Sequence, residues 1–328
     1  MSFTNPIFAV LIGVSRQPSL IKVQSGRKLC EIEYPAFAYF CNMIKKIAVA
    51  GAGTMGSGIA LSAAQSGFDT VLFDTNEVGL LNAKKAINKN LDFLLSKEKI
   101  TPGEKDTILN RIFFTAHIDD CVADIVIEAI IEDLAIKETL YKNLAAINPA
   151  ETILASNTSS LSITAIQKNI PHPGRIAGMH FFNPANVMKL VEVVAGEQTT
   201  PETIETVTDL CLQLKKQPVH CKDAPGFIVN RVARHYYLEA MHLASEHNIS
   251  VEHIDALMEN AGFKMGPFKL MDLIGMDINL AVSQSVYHAF NDEPRFKPSP
   301  MQEEKVAEGN LGRKTGKGFY DYTEKTSR

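Results

Sequence analysis

Two polar residues stand where the chain reads as apolar strand. His180 closes the run 175–180, and Glu192 lies inside Lys189-Leu-Val-Glu192-Val-Val. A carboxylate beside an imidazole orients the ring and stabilises its charged form. Such a pair can take a proton from a hydroxyl while hydride leaves the same carbon. Taken alone, a strand histidine is usually a hydrogen-bonded structural residue. Ser159 and Asn230 read on their own as a turn hydroxyl and a helix-terminal amide.

A second constellation supplies a carrier for the hydride. Gly51-Ala-Gly53-Thr54-Met55-Gly56 fits G-x-G-x-x-G between an apolar run, 44–50, and a helical run, 57–65. The first glycine permits a tight turn, the second lets backbone approach a pyrophosphate, and the third lets helix and strand pack closely. The helix amides then face the phosphates. Asp74 ends the next apolar run, 70–73, 18 residues beyond Gly56. A carboxylate there accepts hydrogen bonds from ribose hydroxyls and repels a 2′-phosphate, so NAD is favoured over NADP.

These residues need a sheet to carry them. Apolar runs at 123–128, 152–155, 175–180 and 189–194 alternate with helical segments at 76–95, 133–147 and 200–214. That alternation predicts a parallel, doubly wound sheet, with ligands beyond the carboxyl ends of its strands. Glu132 and Lys137 follow one strand end, Ser159 the next, and His180 a third. Pro102-Gly103 reads as a break before a short helix at 104–109. A boundary is expected at 222–226, giving a first domain over 43–224 and a helical one over 225–328. In the second, 227–248, 251–261 and 267–289 each read as one helix, and Pro294, Pro298 and Pro300 mark a loop. Its apolar stripe (Met241, Leu243, Leu257, Leu270, Leu273, Ile274, Ile278) reads by default as core.

Composition narrows the class. A formal net charge of −4 offers no basic surface for nucleic acid. No apolar run approaches the roughly 18 residues needed to span a bilayer. The five cysteines are scattered without C-x-x-C, and the nine histidines show no H-E-x-x-H, so no metal site is expected. Residues 1–42 read as an extension outside the fold, with Met43 starting the first strand. Their early cations, and first acid at Glu31, leave a mitochondrial transit peptide as the alternative.

Six ordered motifs carry a resemblance: Ala155-Ser-Asn-Thr-Ser-Ser160, Gly178-Met-His-Phe-Phe-Asn-Pro184, Lys189-Leu-Val-Glu-Val193, Lys222-Asp-Ala-Pro-Gly-Phe-Ile-Val-Asn-Arg231, Gly266-Pro267 and Lys314-Thr-Gly316. Over residues 44 to about 322 the chain resembles the 3-hydroxyacyl-CoA dehydrogenase family, especially its short-chain 3-hydroxybutyryl-CoA branch. The resemblance implies a Rossmann-like domain, an all-α second domain that forms a homodimer, NAD as cofactor and an acyl-CoA thioester as substrate in fatty-acid or related metabolism. It implies His180 as base, Glu192 as its partner, Ser159 touching substrate and cofactor, and Asn230 holding substrate. NAD contacts then fall at Asp74, Glu132, Lys137, Ser159, Asn183 and Lys314, and CoA contacts at Asn90 and Lys97. Arg295-Phe-Lys297-Pro-Ser-Pro resembles members acting on short or dicarboxylic chains such as 3-hydroxyadipyl-CoA. Other readings are a free hydroxy-acid or sugar-acid dehydrogenase, or a non-catalytic crystallin-like scaffold. The expected compartment is the cytoplasm, or the mitochondrial matrix if residues 1–42 are a transit peptide.

Overall fold

The computed structural model describes residues 22–25, 28–31 and 44–323. Lys22–Ser25 (β1) and Lys28–Glu31 (β2) pair as an antiparallel ribbon, a unit by itself. This ribbon was not anticipated. The remainder of the extension 1–42 lies outside the described residues.

From residue 44 onward, eight strands form one sheet: Lys46–Ala50 (β3), Asp69–Phe73 (β4), Ile112–Thr115 (β5), Ile125–Glu128 (β6), Ile153–Ser156 (β7), Ile176–Phe181 (β8), Leu190–Ala195 (β9) and Gln217–Lys222 (β10). Their order is β10-β9-β8-β7-β6-β3-β4-β5. The chain leaves β3 toward β4 and β5, then returns to place β6 on its other side. The switch point therefore lies between β3 and β6, where open α/β sheets bind ligands.

Side chains alternate between two buried layers, as the pleat requires. Ile47, Val49, Leu72 and Ile127 pack on one face with Thr54–Gln65 (α1) and Glu77–Ser96 (α2). Ala48, Ala50, Val71 and Val126 pack on the other with Leu134–Ile147 (α4) and Ile163–Gln167 (α5). Burial on both faces explains why the strands read as continuous apolar runs.

The sheet is not wholly parallel: β9 runs antiparallel to β8. Residues 182–189 between them hold no helix. A parallel crossover needs about a dozen residues or more, so the short link turns the chain back. Pro102 does not break structure either. It is the first residue of Pro102–Asn110 (α3), behind a Thr101–Glu104 capping box, where its missing N–H costs nothing. Pro201–Gln213 (α6) completes the helices of this region.

Among the described residues, five helices follow β10: Val229–Glu246 (α7), Val251–Asn260 (α8), Pro267–Ile274 (α9), Met276–Ala289 (α10) and Pro300–Ala307 (α11). Two departures have local causes. Gly275, at φ +103°, divides the expected helix 267–289 into α9 and α10. Ser299 caps α11 where a loop was expected, again with proline at the start. Met241 is buried as expected, but Leu257, Leu273, Ile274 and Ile278 are exposed, Leu257 by 67%. The stripe is thus only partly core. No helix among the described residues is long and apolar enough to cross a membrane.

Candidate functional site

The glycine loop joins β3 to α1, and its three glycines differ. Gly51 adopts φ +109°, and a Cβ there would lie 2.5 Å from the Ala129 carbonyl oxygen. A Cβ at Gly56 would lie 1.7 Å from the Gly51 oxygen. At Gly53 nothing lies within 4 Å. Chain packing thus dictates the outer two, while the middle one borders open space. Helix α1 begins at Thr54, earlier than the expected Ser57, so Thr54, Met55 and Gly56 form its first turn. No side chain caps it at Gly53. Its free amides are donors for an anion.

Asp74, at the end of β4, braces this loop. Its Oδ2 accepts from the Ala52 amide at 2.7 Å and its Oδ1 from the Asn76 amide at 2.9 Å. Each oxygen keeps a lone pair for a ribose hydroxyl. Open space at Gly53, uncapped amides and a placed acid fit a dinucleotide.

Beyond β6 and β7 the chain builds a cluster around Glu132. One oxygen, Oε1, accepts from Thr158 Oγ1 at 2.6 Å and from the amides of Ser159 at 2.9 Å and Ser160 at 3.2 Å. The other lies 3.2 Å from Lys137 Nζ. Burial pushes the Glu132 carboxyl up, but Lys137 and these donors outweigh it and hold it below the usual carboxylate range. Lys137 was expected at the cofactor, yet its side chain is 1% exposed, bonded to Glu128 and paired with Glu132. Its ammonium is thus the counter-ion of both carboxylates.

His180 and Glu192 are direct neighbours across β8 and β9. Nδ1 of His180 lies 2.8 Å from Oε2 of Glu192, and both side chains are nearly buried. Oε1 of Glu192 accepts from the amides of Ile228 and Val229, at 2.9 and 2.8 Å. Burial raises the Glu192 carboxyl, but the His180 bond, the amide bonds and the imidazole's charge outweigh it and hold it low. With Nδ1 donating to the carboxylate, Nε2 is left as the basic nitrogen. Phe182 and Phe227 flank the ring, with centroids 4.6 and 5.8 Å away.

Asn230, in the first turn of α7, reaches Ser159: its Nδ2 lies 3.4 Å from the Ser159 carbonyl oxygen, a long bond. The Ser159 hydroxyl has no bond among the described residues. Asn183, Asn90, Gly53 and Thr54 line one cleft of about 550 Å³. Lys97 is exposed at the end of α2, with its ammonium 5.9 Å from the Phe93 ring centroid. Lys314 pairs with Asp277, at 2.6 Å to Oδ2, and joins none of the bonds around His180.

Four residues outside the expected set brace the site. Glu128 and Ser156 are fully buried and bonded to each other at 2.7 Å. Asn157 Oδ1 accepts from the Phe181 amide at 2.8 Å, which ties the serine turn to the histidine strand. Asp223 accepts from Ser162 Oγ and from the amides of Ile163 and Thr164 at the start of α5. An acid closing Ile-Val-Ile-Glu128 is the same signal as Glu192 in its apolar run.

The model of the 3-hydroxyacyl-CoA dehydrogenase NAD binding domain matches residues 46–224, and that of the family's C-terminal domain matches residues 226–322. The chain is 47% identical over 281 residues to a 3-hydroxyadipyl-CoA dehydrogenase of Escherichia coli, covering 85% of this chain but only 59% of that protein. It is 43% identical over 279 residues to a probable 3-hydroxybutyryl-CoA dehydrogenase of Deinococcus radiodurans, covering 84% of this chain and 100% of the relative. The crystal structure of an (S)-3-hydroxybutyryl-CoA dehydrogenase from Ralstonia eutropha superposes with a TM-score of 0.81 at 40% identity, over 86% of this chain and 100% of that one.

Proposed function

This chain belongs to the 3-hydroxyacyl-CoA dehydrogenase family, and on that premise we propose that it interconverts a short-chain (S)-3-hydroxyacyl-CoA and its 3-oxoacyl-CoA with NAD. The observation that carries this reading is the nearly buried His180–Glu192 pair at the strand ends, flanked by aromatic rings.

In the oxidative direction, His180 Nε2 takes the proton of the C3 hydroxyl. Glu192 holds the ring in orientation and stabilises the imidazolium. The Ser159 hydroxyl and the Asn230 amide fix the substrate oxygen and thioester in reach of that nitrogen. Phe182 and Phe227 keep water from the ring. The hydride acceptor for C3 would be supplied by bound NAD. Thr54, Met55 and the glycines would hold its pyrophosphate, Asp74 its ribose, and Glu132 and Asn183 its nicotinamide half. In reverse, the protonated His180 returns its proton to the carbonyl oxygen.

A four-carbon acyl group is the first choice, supported by the names of the Deinococcus and Ralstonia relatives and the apolar rings beside His180. The dicarboxylic adipyl chain is the second, supported by the name of the Escherichia coli relative, of whose length this chain spans about three-fifths. Absorbance at the nicotinamide band separates these readings from a free-acid enzyme. NADH oxidation with acetoacetyl-CoA, but not with free acetoacetate, is expected. Turnover of the free acid alone contradicts the thioester assignment.

The exposed apolar side chains of the helical region, Val232, Leu257, Leu273 and Ile278, support a homodimer. Light scattering is expected to give twice the chain mass, and a monomer at micromolar concentration rejects the dimer. Buried thiols at Cys121, Cys211 and Cys221 suit a reducing compartment, here assigned to the cytoplasm. A mature protein cut near residue 43 would instead place it in the mitochondrial matrix.

A further inference from the structure

Row by row, β4, β3, β6, β7 and β8 align Phe73, Ala50, Glu128, Ser156 and Gly178. Phe73 and Ala50 belong to the apolar layer against α4, but the next two positions in the row are polar and fully buried. A buried ion pair is poor at stabilising a fold, since desolvation offsets the attraction and apolar replacements often serve as well. Glu128, Lys137 and Ser156 therefore call for a reason other than stability.

Their bonds supply one. Glu128 Oε2 accepts from Ser156 Oγ at 2.7 Å, and that hydroxyl accepts from the Thr158 amide at 3.2 Å. Glu128 Oε1 accepts from Lys137, whose ammonium also pairs with Glu132. Glu132 in turn holds Thr158, Ser159 and Ser160. Both arms from one carboxylate end on the same turn.

We propose that Glu128 is a positioning residue for the reaction, fixing through Ser156 and through Lys137–Glu132 the turn that presents Ser159 to the substrate. The proposal rests on the functional reading of Ser159 given above. Glu128 touches no ligand itself. Its remaining bond, from the Ile130 amide at 2.8 Å, fixes the segment packed against Gly51. The same carboxylate thus keeps the serine turn in register with the cofactor loop across the switch point. Misplacing a reacting group by about 1 Å can cost on the order of a hundredfold in rate, so a partly loosened turn is a sensitive reporter.

Two variants test this. Glu128→Gln removes the charge that holds Lys137 and disturbs the Ser156 bond, while Ser156→Ala cuts one arm only. Hydrogen exchange of the intact protein without substrate is read first, in peptides covering 157–161. Exchange there is expected to quicken about tenfold in Glu128→Gln, with β9 and β10, which make no bond to Glu128, unchanged. Turnover of acetoacetyl-CoA per NADH-binding site is expected to fall about tenfold in Glu128→Gln and about threefold in Ser156→Ala. The double variant should be no slower than Glu128→Gln, because Ser156 is one of the arms through which Glu128 acts. A merely structural role lowers the melting temperature and the number of binding sites but not the rate per site. Unchanged exchange and unchanged rate per site in Glu128→Gln overturn the proposal. If Glu128→Gln binds no NADH, Ser156→Ala decides, and a rate per site equal to that of the unaltered protein overturns it. Absent turnover in the unaltered protein would count against the functional reading, while the exchange result would still judge the hold on the turn.

Discussion

Glu192 holds His180 and the start of α7 with one carboxylate: Oε2 meets the imidazole at 2.8 Å, and Oε1 takes the amides of Ile228 and Val229. The His180–Glu192 pair and the junction to the helical region thus share one carboxylate. An acid at a helix N-terminus is favoured by the exposed amides there.

That sharing has a pH consequence. The folded Glu192 carboxyl is held below its ordinary value of 4.5. Its stabilisation is present above that value and is lost as pH falls through the lower, folded value. Replacing Glu192 by Gln is therefore expected to lower Tm most near neutral pH, with the gap to the unaltered protein closing as the solution is acidified below about pH 4. Calorimetry across pH checks this. A gap that is constant with pH would mean that the carboxylate charge is not what the fold uses.

The glycine loop makes a paired prediction. Gly56→Ala puts a methyl 1.7 Å from the Gly51 oxygen, so both Tm and NADH binding should fall. Gly53→Ala meets nothing within 4 Å, so Tm should hold while NADH binds on the order of tenfold more weakly. Fluorescence titration and thermal melts separate the two. Unchanged NADH affinity in Gly53→Ala would remove the pyrophosphate from that opening.

With Asp74 holding the adenosine ribose as proposed, cofactor choice turns on its charge. Exchanging it for Ser removes the repulsion of a 2′-phosphate and should raise the NADPH-to-NADH ratio of kcat/KM by about tenfold, at some loss with NADH. A ratio that does not move would place the adenosine ribose elsewhere. Because the acid also takes the Ala52 amide, part of the NADH loss should come from the slackened loop.

Much of this was legible in the residues. His180 and Glu192 stand out because a titratable side chain in an apolar run needs a partner. The glycines stand out by their spacing, and the outer two have a backbone cause. The same signal marked Glu128, but a polar residue closing a strand is ordinary, and only its bonds to Ser156 and Lys137 distinguish it. The antiparallel turn of β9 was not visible from strand composition, which is alike in both directions. It is nevertheless what sets Glu192 opposite His180. Glu132 gripping the turn 26 residues away at Thr158 is tertiary, and no local pattern encodes it. For Lys314 the motif implies a cofactor contact, and its half-exposed ammonium lies beside Asp277.

The most direct test is the NADH-linked reduction of acetoacetyl-CoA by the unaltered protein and by His180→Gln, each at saturating substrate and normalised to bound NADH. Removing the base while leaving the cofactor loop intact should lower kcat on the order of a thousandfold, with NADH affinity unchanged. Turnover in His180→Gln within a few-fold of the unaltered protein would contradict the assignment of His180 as the proton-transferring residue.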